Sequence, residues 1–131
     1  MTARSERLSA FLAAGSALPF AWGERDCCLW VADWIKAESG RDPGAALRGY
    51  YGSSGACLRL LRRGGGLSAV VCELMKGAGF EEARSPVVGD AGLIETKIGA
   101  MGAICLGENW AVKSAEGVAI LPAAPVKAWR I

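Results

Sequence analysis

Residues 19–34 read Pro-Phe-Ala-Trp-Gly-Glu-Arg-Asp-Cys-Cys-Leu-Trp-Val-Ala-Asp-Trp, and the rest of the chain is best read outward from them. Asp26 is a good helix N-cap, and the apolar-rich run behind it predicts a helix over 26–39. Trp30, Val31, Trp34 and Ile35 recur at helical spacing, with Cys27 on their face, and Gly40 is a natural stop. Cys27 and Cys28 then open the helix. Unpaired backbone N–H groups and the positive end of the helix dipole favour a thiolate there, as at many reactive cysteines. The usual partner of such a thiolate is a histidine base, and the chain contains no histidine.

At 131 residues the chain predicts a single domain with room for a core. It is 52% hydrophobic and 21% charged, which is a globular rather than a disordered balance. A formal net charge of +2 is too small to imply nucleic-acid binding, and Arg59, Arg62 and Arg63 read as one solvated helix face. The five cysteines, 27, 28, 57, 72 and 105, form no Cys-x-x-Cys pair. They predict reduced thiols, mostly small core residues, in a protein made in the cytoplasm. No metal or cofactor is expected, because adjacent Cys27 and Cys28 have poor ligand spacing. No stretch reads as a signal peptide or a bilayer span.

Taken in order, Thr2 or Ser5 caps a first helix to about Ala14. Leu8, Phe11 and Leu12 form its apolar stripe, and Gly15, Ser16 and Pro19 end it. After the central helix, residues 41–44 form a turn and 45–47 a single helical turn. Ser53 or Ser54 caps a helix through Arg63, which the three glycines at 64–66 terminate. A further helix runs from Ser68 to Lys76 with Val70, Val71, Leu74 and Met75 as its buried side. From Val87 onward short β-type runs follow at 91–95, 101–106, 109–113, 117–121 and 126–131. Helices first and a strand meander afterwards predict an α+β fold, with N-terminal helices packed on one face of a small antiparallel sheet. Trp22, Trp30 and Trp34 are expected in the core, and burial is also expected for Trp110 and Trp129.

Pro19-Phe20-x-Trp22-Gly23, then Asp26-Cys27 at the head of an apolar helix, then Gly89-Asp90 and a strand from Met101 to Gly107, resemble the NlpC-type cell-wall peptidases. These are papain-like enzymes that cut peptidoglycan peptides. The resemblance implies a papain-like fold with Cys27 in the nucleophile's place and Asp26 as the helix cap beside it. It puts Met101 at or near the missing histidine, and Asp90 as a polar partner or a turn cap. A fuller resemblance is to small members of this superfamily that lack the histidine and are encoded in phage and prophage tail gene clusters. It rests on Trp22-Gly23-x-x-Asp26-Cys27, Gly40 to Pro43, Tyr51 to Ser53, Gly89-Asp90 and Ala128 to Ile131.

The resemblance implies a virion tail or tail-tip protein, structural or assembly in role, whose partners are other tail proteins. Acyl transfer from a peptide needs a thiolate, an oxyanion site and a proton shuttle for the leaving amine. General acid–base help is worth about 10²–10⁴-fold. Asp90, Glu95, Lys97 or a tyrosine are the substitutes the chain offers, and a neighbouring subunit's histidine is another. The alternative reading is therefore an active cysteine peptidase or amidase, with Cys27 as nucleophile and peptidoglycan as substrate.

Overall fold

Helix formation in the N-terminal half follows side-chain caps where they exist. The structure, a computed structural model, describes residues 3–131. Four helices come first: α1 (Arg4–Ala17), α2 (Cys27–Ser39), α3 (Ser54–Arg63) and α4 (Leu67–Gly77). Five strands follow: β1 (Ala91–Thr96), β2 (Gly99–Cys105), β3 (Asn109–Ser114), β4 (Gly117–Pro122) and β5 (Pro125–Trp129). The fold is α+β, as the order of sequence patterns requires. Asp26 caps α2 by accepting from Leu29 N–H, and Ser53 caps α3 by accepting from Ala56 N–H. Gly40 closes α2 in the left-handed conformation at φ 76°. The 45–47 stretch forms a single hydrogen-bonded turn, Leu47 and Arg48 N–H both donating to Gly44 O.

α1 departs from expectation at both ends. Its N-cap is Ala3, with no side-chain cap; Ser5 lies inside the helix, and Thr2 lies outside the described residues. At the other end the helix runs through Gly15 and Ser16 to Ala17. Tertiary contacts outweigh the local cost of glycine in a helix, about 1 kcal/mol. A Cβ on Gly15 would stand 2.6 Å from the indole nitrogen of Trp30, so glycine lets α1 lie against α2. The Lys113 ammonium, from β3, donates to Gly15 O at 2.6 Å and Leu18 O at 2.5 Å and so caps the helix from the sheet. Lys113 is enclosed locally, and burial lowers its pKa. Arg7 ties the same helix to α2 through a two-point pair with Glu38, at 2.7 and 3.0 Å.

The sheet order is β4-β3-β2-β1-β5, all neighbours antiparallel. Strands β1 to β4 are the expected meander; β5 is not its continuation, but pairs with β1 at the far edge. Only Ala123 and Ala124 separate β4 from β5. Three Cα steps reach at most about 11 Å, whereas four interstrand spacings of a flat sheet span about 19 Å. The sheet must therefore curl until its edges approach, and it encloses a second core as it does so. The helix-facing core joins Leu8, Trp30, Trp34 and Ile35 to Ala91, Leu93, Ile104 and Trp129. The core inside the curl holds Ile94, Ala103, Cys105, Trp110, Val112 and Ala128. Trp110 and Trp129 are buried, as expected.

Candidate functional site

The start of α2 faces β2, and the local hydrogen bonds fix it there. One oxygen of the buried Asp26 carboxylate accepts from Leu29 N–H at 3.0 Å. The other accepts from Gly23 N–H at 3.1 Å and from the Tyr51 hydroxyl at 2.5 Å. One aspartate therefore holds the Trp22-Gly23 loop, the helix start and the segment leading into α3. Burial, followed by the bond to Asp26, raises the Tyr51 pKa far enough to keep it a phenol.

Cys27 and Cys28 are half-buried beside this hub, their sulfurs 3.9 Å apart. The bond between the two thiols, helped by the backbone N–H groups of Gly102 and Cys28, lowers the pKa of Cys27 against the opposing effects of burial and the Asp26 charge. The same bond, reinforced by burial, raises that of Cys28 well above the thiol range. Of the two thiols, Cys27 is thus the more readily ionised and the more nucleophilic. Cys57 of α3 lines the same cleft, and burial pushes its thiol up. Cys105 is the one fully buried cysteine, so the expectation that most of the five are core residues fails.

The strand opposite is β2, as expected, and Met101 on it is among the cleft residues; the β2 residue directly against the thiols is its neighbour Gly102. Strand alternation sends Met101, Ala103 and Cys105 into the curl, where Met101 packs against the second core. Gly102 and Ile104 turn toward the helices. A Cβ on Gly102 would come 3.2 Å from Cys28 Sγ and 3.4 Å from Cys27 O. Ala100 shares this parity and lines the cleft. The β2 residue that meets the thiol pair is thus a glycine, with Ala100 and Met101 lining the same cleft.

Asp90 lies elsewhere. Its carboxylate accepts from Val87 N–H at 2.9 Å and Ile131 N–H at 3.0 Å, and pairs with Arg130 at 3.2 Å. It is a loop fastener, the turn-cap alternative, and it does not line the cleft. The carbonyl of the preceding Gly89 accepts from Trp34 Nε1 at 2.8 Å and from Arg4. Glu95 and Lys97 are exposed beside the β1–β2 turn, away from the cysteines.

The cysteines open onto an apolar cleft of about 320 Å³ between α2, the α3–α4 hairpin and the β1–β2 end of the sheet. Val70, Val71 and Leu74 of α4, expected to be buried, are half-exposed because they face this space; only Met75 is fully enclosed. Trp22 is likewise not core. It is 37% exposed, stands edge-on to Phe20 at 4.9 Å and forms part of the cleft wall. Sequence reasoning missed the cleft, Tyr51 and Cys57. The one available signal was the strong two-sidedness of residues 54–63, whose leucines have no obvious partner. Among the described residues no three His, Cys, Asp or Glu side chains are placed to hold a metal ion, and no helix is long and apolar enough to cross a membrane.

The motifs shared across this cleft and its fasteners run the length of the chain. So does a family model described as domain of unknown function (DUF6950), which matches residues 1–131. The chain belongs to the DUF6950 family. No curated protein and no solved structure matches it. In this DUF6950 member the motif residues have visible structural tasks. Gly40 closes α2, and Asp42 Oδ1 accepts from Gly44 N–H at 2.9 Å. Tyr51 and Ser53 serve Asp26 and α3, while Arg130 and Ile131 meet Asp90.

Proposed function

We propose that this protein is a structural or assembly component of a phage tail, built on a papain-like scaffold of the NlpC type that does not cleave peptides. The observation that carries the catalytic half of this reading is that Cys27 and Cys28 meet Gly102, with Ala100 and Met101 as the other β2 residues of the cleft. The strand that would supply a base offers side chains that take no proton. The other ionisable groups lining the cleft are Asp26, Tyr51 and Cys57. Asp26 already accepts three hydrogen bonds, Tyr51 is held protonated, and Cys57 is pushed toward its neutral form. None can shuttle a proton to a leaving amine at neutral pH. The tail role rests on the sequence resemblance, and exposed apolar side chains such as Ile98, Ile120 and Val126 are compatible with surface buried against partners.

The alternative, a peptidoglycan-cleaving cysteine peptidase, draws support from one feature: the lowered pKa of Cys27 at a helix start. The two readings separate on one variant. Particles carrying Cys27→Ser should contain the protein in their purified tails and infect as well as wild type. Particles that assemble but fail to cross the cell wall, or release of peptide from purified wall fragments by the wild-type protein alone, would overturn the non-catalytic reading. Absence of the protein from purified tails would overturn the tail role.

A further inference from the structure

We propose that the cleft at the start of α2 is an acyl-chain site, and that Cys27 accepts the chain as a thioester from an acyl-thioester donor. The inference is independent of the tail role and rests on the cleft alone. Folded interiors are packed to crystal-like density, with few voids larger than a water molecule. Here about 320 Å³ lies open between two layers of aliphatic side chains, Val31 and Ile35 of α2 on one side, Leu61, Val70 and Leu74 of the hairpin on the other. A space so walled favours an apolar ligand over water. The hairpin is suited to admit one, since no side chain of α3 is buried. The Cys27–Cys28 pair borders this apolar space and gives it a single reactive feature.

The missing base narrows the chemistry rather than abolishing it. Cleaving an amide calls for a group that takes the nucleophile's proton and returns it to the leaving amine near neutral pH, and no histidine or comparable base lines the cleft. Thioester exchange requires none. The Cys27 thiolate attacks the donor's carbonyl carbon, the donor's carbon–sulfur bond breaks, and the donor departs as a thiolate that takes its proton from water. No electron is gained or lost overall. Asp26 takes the Leu29 N–H, and the remaining first-turn N–H groups of α2, at Cys27 and Cys28, are the donors offered to a tetrahedral oxyanion on Cys27. Water could release the acyl group quickly only with a general base, and the cleft walls provide none. The thioester therefore persists, and the protein carries the chain rather than turning it over.

The test is intact-mass analysis of the full chain incubated at neutral pH with acetyl-, octanoyl- or dodecanoyl-coenzyme A. The expected result is a single acyl group on Cys27, removable by hydroxylamine and absent from Cys27→Ser. The medium chains should transfer about tenfold or more faster than acetyl, because their methylenes are buried in the cleft. Leu74→Trp, which fills the cleft, should abolish that preference while leaving iodoacetamide labelling of Cys27 unchanged. No adduct, equal rates for acetyl and dodecanoyl, or acylation spread over Cys57 and Cys72 would each overturn the proposal. Such a failure leaves the tail assignment standing, since that is read from purified particles.

Discussion

The carboxylate of Asp26 receives hydrogen bonds from Leu29, Gly23 and Tyr51, and it does so while buried. An ordinary N-cap is worth about 1 kcal/mol. Here removal also strands a loop N–H and a buried phenol, so Asp26→Ala should cost about 3 kcal/mol in urea unfolding. A loss below about 1 kcal/mol would mean that the hub is not formed. The neighbouring thiols make a second prediction, on pH. Once Cys27 ionises, the Cys28 thiol donates to it and favours the thiolate, so alkylation of Cys27 should rise at a pH below that of a free cysteine. Cys28→Ala removes the donor, and the profile should move to higher pH. A profile that stays put, or moves down, would show that the sulfur–sulfur bond does not set the reactivity.

At the scale of elements, α2 and the α3–α4 hairpin are held very differently. α2 buries six of its residues, including Trp30 and Trp34, and is fastened by Asp26, Gly40 and the Arg7–Glu38 pair. α3 buries none, and α4 only Met75. Local opening free energy follows buried contact, so the amides of α3 should exchange with solvent orders of magnitude faster than those of α2 and β2. Native-state hydrogen exchange checks this directly. Equal protection would mean that the hairpin is locked onto the sheet and that the cleft beneath it is closed. The Arg59, Arg62 and Arg63 side chains stay exposed on α3, the solvated face that their spacing implied.

At the scale of the molecule, the two-residue link between β4 and β5 forces the sheet to roll, and the roll needs something inside it. Trp110 fills that space and presses against Gly92, where a Cβ would meet the indole at 2.9 Å and Lys127 O at 2.8 Å. Trp110→Ala should therefore cost about 3–5 kcal/mol in chemical denaturation. A cost near 1 kcal/mol would place the ring at the rim of the curl instead of its centre. The outer side of β5 is covered as well: Ala83 N–H donates to Ala128 O at 2.8 Å and Arg130 N–H to Glu81 O at 2.9 Å. That cover leaves less open edge to pair with other chains.

Local chemistry was legible in the sequence. Caps, glycine stops and the 3.6- and 2-residue periods located α2, α3, α4 and the five strands, because each depends on neighbours a few positions away. They also placed Cys27 at a helix start, and the family resemblance put the strand of Met101 opposite it. What local rules could not contain was decided by contacts between distant residues. Gly15 sits inside α1 because Trp30 needs the room and Lys113, on β3, caps the end. β5 crosses to β1 because curling buries Trp110. Gly102 meets the thiols while the Met101 side chain packs into the curl, because a one-residue change of strand parity reverses every side chain. The sequence alone determined that the chain offers Cys27 no histidine of its own; only the packing of the hairpin over α2 decided that the space beside that sulfur is apolar and open.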